Sequence, residues 1–307
     1  MNSRFRINKN ITFAFFLLTS ILNVLGYYNF LSKDFLSTTI CLFLILTIGV
    51  SHGALDDLKG YKILNFYKIK NKILFYFIYI FISSLIIIFW VFLPTLMLIL
   101  FLIIAAYHFG KEDCWGINLR KSNFNILIFF LKGSLIILAP LWLSFNETII
   151  IFDTLGIKND EFYNFLNILN ENYFLLTLII LSILSNLLIT QDLKGLMGLF
   201  IDTICIIVLY NFFSPLVAFT IYFCFLHSIR HSASLINTLK IGLNNFIKKA
   251  LPLTIITAIF FLLGLYMLNE FQNLDTNSSI IMVIFIGLAS LTFPHILLEY
   301  LLEKNEK

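Results

Sequence analysis

Charge is scarce in this chain. Only 12% of its 307 residues are Asp, Glu, Lys or Arg, against 60% hydrophobic and 17% aromatic residues, a balance that excludes a soluble domain of this size. Cysteine is scarce too: Cys41, Cys114, Cys205 and Cys224 form no C-x-x-C pair and three of them sit in apolar runs, so neither a disulfide framework nor a thiolate metal site is indicated. They read as packing residues. Long polar connections are missing as well, leaving no room for a soluble domain between the apolar stretches. No small-residue cleavage site follows the basic N-terminus (Arg4, Arg6, Lys9), so its apolar run reads as a first span rather than a secretory signal. The net charge of +4 is too small and too dispersed to argue for nucleic acid.

What the chain has in quantity is apolar sequence in membrane-length pieces. A bilayer core about 30 Å thick needs roughly 20 such residues per helix. The pattern predicts an all-α, polytopic transmembrane bundle of about ten helices, at 11–30, 36–57, 72–92, 95–112, 122–144, 171–190, 195–213, 215–236, 249–269 and 279–302, forming one catalytic domain over 1–307. Pro94 and Pro215 fall at helix starts and Pro252 in a first turn, where a missing N–H is harmless, whereas Pro140 and Pro294 fall inside spans. Of the 21 Lys and Arg, all but Lys33, Lys158 and the intramembrane Lys132 lie on one side of this arrangement. By the positive-inside rule that side is cytoplasmic, with both termini, in a multi-pass protein of the cell membrane. The longest outer connection, about 145–170, is expected to hold a short interfacial helix.

The five histidines, His52, His108, His227, His231 and His295, all fall toward the cytoplasmic ends of the second, fourth, eighth and tenth spans. Helices running in the same direction carry them to one depth. His227 and His231, four apart in FLHSIRHS, share a helix face at metal-ligand spacing, although that spacing also occurs in plain helix packing. A carboxylate follows each of the others by four residues: Asp56 after His52, Glu112 after His108 and Glu299 after His295. On a helix such an acid can reach the imidazole, set its tautomer and leave the second nitrogen to a metal; the same acids also suit helix ends or cytoplasmic lysines. Gly53 and Gly110 would let a helix or a substrate come close. Neutral imidazoles suit iron, copper, zinc or nickel, and three or four of them on iron leave positions for dioxygen. Arg230 is expected to point away from the paired histidines toward headgroups or an acid. Asp202 and Lys132, near the middles of their spans, pair if their helices touch.

In the ordered segments SHGALDD, AAYHFGKED, FCFLHSIRHS and FPHILLEY, spread over residues 51–300, the sequence resembles the Brp/Blh family of membrane β-carotene 15,15′-dioxygenases. The resemblance implies oxidative cleavage of the central double bond of β-carotene by Fe(2+) and dioxygen. The product would be two molecules of retinal, a supply for a microbial rhodopsin. It also implies His52, His108, His227 and His231 as iron ligands, with His295 a fifth ligand, an outer hydrogen-bond donor or part of the tunnel wall. A polyene dissolved in the bilayer enters between helices without an aqueous channel. Tyr107, Tyr222 and Phe223, close in sequence to the histidines, are candidates for touching it, beside the alternative of plain packing.

Three other classes compete. A di-iron membrane hydroxylase or desaturase uses similar histidines but needs more than five unless carboxylates replace several. A metal-ion transporter or a haem-binding electron carrier could use the same histidine layer, but a transporter calls for polar residues across both leaflets, and the outer half here is almost wholly apolar. A purely structural subunit leaves the layer unexplained.

Overall fold

The computed structural model describes residues 3–272 and 274–305, apart from the side chains of His52, Phe271 and Gln272. Every regular element among them is helical. In chain order these are α1 (Ser3–Tyr27), α2 (Thr38–Phe66), α3 (Ile73–Phe92), α4 (Pro94–Glu112), α5 (Asn125–Leu143), α6 (Phe145–Thr154), α7 (Asp160–Glu171), α8 (Phe174–Ile189), α9 (Leu193–Phe212), α10 (215–239), α11 (Leu243–Gln272) and α12 (Thr276–Asn305).

Eight of these helices are long and apolar enough to cross a membrane, and a ninth crossing arises if α7 and α8, bent by 70° at Tyr173, count together. Tyr173 takes a left-handed conformation (φ 59°), which breaks the helix between them. The difference from ten expected spans has two causes. The 16 residues of α8 cover only about 24 Å at 1.5 Å per residue, short of the hydrocarbon thickness. α10, which passes from α (Pro215–Tyr222) to π (Phe223–Ser228) and back to α (Ile229–Leu239), is long enough, but His227, Arg230, His231 and the serines around them make its second half too polar to count as an apolar span. The connection at 145–170 holds two helices, α6 and α7, where one was expected. α11 starts at Leu243, earlier than expected, so Pro252 lies inside it and not in its first turn. Pro94 and Pro215 open α4 and α10 as expected, and Asn159 and Asp192 accept backbone N–H groups at the starts of α7 and α9.

Burial sorts the helices into a shell and a core. α3 and α11 expose Phe77, Phe81, Phe92, Ile259, Phe260 and Tyr266, apolar surface that is stable only against lipid. α10 is the reverse, with Pro215–Tyr222 buried on every side. Around it stand α1, α2, α4, α9 and α12. α4 and α5 meet at backbone distance: a Cβ on Gly110 would lie 1.8 Å from the carbonyl oxygen of Phe129, and one on Gly133 would lie 1.8 Å from that of Ala106. Only glycine permits this approach. Gly53 has no such neighbour, with Asp56 Oδ2 at 3.9 Å from a Cβ built there.

The two irregular stretches of the core touch each other. α2 passes from α through a π turn (Ile45–Gly49) and a 3-10 turn (Val50–Leu55) before resuming as α (Asp56–Phe66). Its π turn packs on the π turn of α10, where the Ser228 hydroxyl donates to the Gly49 carbonyl at 3.2 Å and a Cβ on Gly49 would strike the Phe223 ring at 2.6 Å. Both described termini share one face, since Arg4 Nε donates to Asn237 Oδ1 at 2.9 Å and Lys111 pairs with Glu303. Lys33, the start of α2 and the start of α12 share the other, through Ser214 N to Lys33 O (3.1 Å) and Thr38 Oγ1 to Asn277 Oδ1 (2.6 Å).

Candidate metal centre

Four histidines from three helices meet inside the bundle, toward the face that carries the termini. The ring centroids of His108 and His227 are 5.3 Å apart, those of His108 and His295 5.2 Å, those of His231 and His295 5.4 Å, and those of His108 and His231 6.2 Å. All four side chains are buried. His52 lies in the 3-10 turn of α2, and its side chain is outside the described residues. The local backbone explains part of the convergence. In an α-helix residues 227 and 231 would stack one above the other, and the π turn at Phe223–Ser228 re-aims His227 relative to His231.

Three of the four imidazoles are held through Nδ1 by an acid from another part of the chain. His231 Nδ1 is 2.7 Å from Glu112 Oε2, His295 Nδ1 is 2.8 Å from Asp56 Oδ2, and His227 Nδ1 is 3.2 Å from Asp113 Oδ1. A carboxylate can only accept, so Nδ1 carries the proton in all three rings and the lone pair resides on Nε2. For Glu112 this differs from the expected pairing with His108, four residues before it; the expected partner of Asp56, His52, has its side chain outside the described residues. Glu112 faces the interior, and there the His231 imidazole of the neighbouring helix is nearer than that of His108 a turn back on its own helix. Glu299 is the least tightly bonded to a ring: its oxygens lie 3.6 Å from His295 Nε2 and 3.9 Å from His108 Nδ1. Its hydrogen bond goes to Lys59 Nζ, at 2.7 Å.

The acids are themselves anchored. Tyr79 donates to Asp56 Oδ2 at 3.1 Å, with Lys59 Nζ 3.8 Å from Oδ1, and Tyr222 donates to Asp113 Oδ2 at 2.7 Å. Arg230, fully buried, donates through Nη1 to the Asp113 carbonyl (2.9 Å) and through Nη2 to Asp202 Oδ2 (2.9 Å) and Thr12 Oγ1 (3.1 Å). Of the two partners expected for Arg230, the acid is the one found. Asp202 therefore belongs to Arg230 and not to Lys132, whose Nζ reaches Asn186 Oδ1 at 3.5 Å. Asp113, Lys59 and Tyr79 were not anticipated. Asp113 follows Glu112 directly, but only the fold shows that the two neighbours serve different histidines.

The three aromatic candidates have distinct positions. Phe223 stacks on His227 with centroids 5.7 Å apart and planes at 15°, and Phe219 stacks behind it at 5.4 Å. Phe109, unanticipated, stands edge-on to His227 at 4.8 Å. Tyr222 is fully buried and committed to Asp113. Tyr107 faces away, lining an apolar groove of about 450 Å³ with Ile103, Phe130 and Ile296.

Three imidazoles braced through Nδ1 by an acid, with His108 beside them, match what a protein-bound transition metal requires. Two ligands about 2.1 Å from one ion would put their ring centroids at about the separations found here. The donor set suits iron, copper, zinc or nickel equally well on chemistry alone. Fold and centre together define a polytopic membrane protein with a histidine-rich, metal-competent core.

Comparison with known proteins narrows that class. Residues 43–303 match the family model of β-carotene 15,15′-dioxygenase, and the chain belongs to that family. It is similar to the β-carotene 15,15′-dioxygenase of uncultured marine bacterium 66A03, 27% identical over 262 residues that cover 83% of this chain and 90% of the relative. No solved structure matches it.

Proposed function

We propose that this chain cleaves the central 15,15′ double bond of β-carotene with dioxygen, using an Fe(2+) ion held by histidine. Balance is simple: one C=C bond breaks, two C=O bonds form, and both oxygen atoms of dioxygen end in the two retinal molecules. The observation that carries the reading is the carboxylate-braced histidine cluster buried inside a chain of this family. His108, His227 and His231 would hold the ion together with His52, as the family resemblance implies, and His295 stands within the same cluster.

When bound, iron supplies the redox chemistry that lets dioxygen react with an alkene. The remaining work falls to the chain. Asp113, Glu112 and Asp56 hold His227, His231 and His295 as Nδ1–H tautomers, the form in which Nε2 would be the donor atom toward a metal. Phe109, Phe219 and Phe223 surround His227 with apolar ring surface, which excludes water and suits a polyene. The lipid-exposed apolar shell would let such a substrate approach from the bilayer. Retinal remains in the same bilayer, from which a microbial rhodopsin would take it. The concentration of Lys and Arg at the face carrying the termini supports placing that face in the cytoplasm, and hence the chain in the cell membrane.

The test is expression in a β-carotene-producing bacterium, with retinal measured by chromatography and His227→Ala as control. Retinal from the native chain alone is the expected result. Coloured cells with no retinal, despite membrane expression and iron, would reject the substrate, and metal flux without carotene loss would favour a transporter.

A further inference from the structure

Glu299 stands apart from the other acids of the centre by its distances. Asp56 and Glu112 approach their imidazoles to 2.8 and 2.7 Å, the separation of hydrogen-bonded atoms. Glu299 Oε1, the oxygen that Lys59 holds, lies 3.6 Å from His295 Nε2, and Oε2 lies 3.9 Å from His108 Nδ1, both too far for a hydrogen bond. Two donors bonded to one ion at about 2.1 Å, with about 120° between them, lie about 3.6 Å apart. The Glu299 separations are therefore those of a neighbour in a coordination sphere. His295 makes the contrast internally, with its Nδ1 turned to Asp56 and its Nε2 to Glu299.

The surroundings agree. Donor atoms of His108, His295 and Glu299 all lie within 4.8 Å of one another, and so do those of Glu112, His231 and Glu299, so Glu299 is common to both sets. Lys59 holds Oε1 at 2.7 Å, while Oε2 is the oxygen nearest His108. α12 carries both His295 and Glu299 one turn apart, so the two donors approach the centre from the same side.

We propose that Glu299 is itself a ligand of the ion, its carboxylate standing beside His108 and His295. The assignment rests on the metal reading above. It makes the centre a mixed histidine and carboxylate site.

The experiment loads the full-length, detergent-solubilised chain with Co(2+) and records its affinity and visible ligand-field bands for the native protein, Glu299→Gln, Glu299→Asp and Lys59→Met. One ion per native chain is expected. Glu299→Gln should shift the bands and weaken binding by more than about 100-fold, beyond the usual cost of losing an outer hydrogen-bond partner. Glu299→Asp should recover part of the affinity, and Lys59→Met, which breaks the ion pair but keeps the carboxylate, should retain native bands. Native bands and affinity in Glu299→Gln would overturn the assignment alone. So would equal band changes in Glu299→Gln and Lys59→Met, which would mean that the ion pair is what matters. If Glu299→Gln is not recovered folded, loss of the native bands in Lys59→Met overturns the assignment and their retention, with a shift in Glu299→Asp, supports it. A native chain that binds no Co(2+) would overturn the metal reading and this assignment together.

Discussion

At the scale of the residue, the centre separates atoms that bind from atoms that aim. Replacing His227 or His231 by Ala removes a donor, and the expected result is loss of both bound metal and retinal formation with membrane insertion unchanged; metal analysis of the purified variants checks it. Asp113→Asn is a different experiment. The amide can accept from His227 Nδ1 through its oxygen but carries no charge to hold the imidazole, and it weakens the link to Tyr222 and Arg230. Metal affinity should fall by about 10 to 100-fold, measured by competition with a chelator, while the fold persists. An unchanged affinity would reduce Asp113 to a packing group.

At the scale of the element, the helix junctions carry the information that residue spacing does not. Gly110 and Gly133 let α4 and α5 touch backbone to backbone, with His108 two residues from that contact. Gly110→Val should push the helices apart and cost at least about 1–3 kcal/mol, read as a lower unfolding temperature together with weaker metal binding. Gly198→Ala in α9, where an added Cβ meets nothing within 4 Å, should be neutral or stabilising by up to about 1 kcal/mol. The same junctions mark the limit of what is readable without the fold. Apolar runs announced the membrane helices, and the common depth of the histidines announced a centre, because burial and helix direction are written in local sequence. The π turns at Ile45–Gly49 and Phe223–Ser228 were not legible: nothing in FCFLHS distinguishes it from an ordinary apolar helix, and the contact between the two turns exists only in the fold. The acid partners were legible as residues and not as pairs. Asp56 and Glu112 were recognised as braces, yet their hydrogen bonds cross to α12 and α10, which periodicity along one helix cannot reveal.

At the scale of the whole molecule, a buried polar network ties the centre to its scaffold. Arg230 joins α10 to Thr12 of α1, Asp202 of α9 and Asp113 beyond the end of α4. Arg230→Met strands Asp202 without its countercharge and should destabilise the protein by about 3–5 kcal/mol; the double variant with Asp202→Asn should recover part of that loss. Thermal unfolding in detergent measures both. Removing the metal should also lower the unfolding temperature, since an ion present at about 1,000 times its dissociation constant adds about 4 kcal/mol, and the shift should grow with ion concentration. The cross-helix bracing has one more consequence, in time rather than space. The bond between His295 and Asp56 joins positions 239 residues apart, one near the beginning of the chain and one near its end. A growing polypeptide on the ribosome therefore holds an unfinished centre until α12 has emerged and docked. The brace on His295 is thus among the last contacts that the folding chain can make.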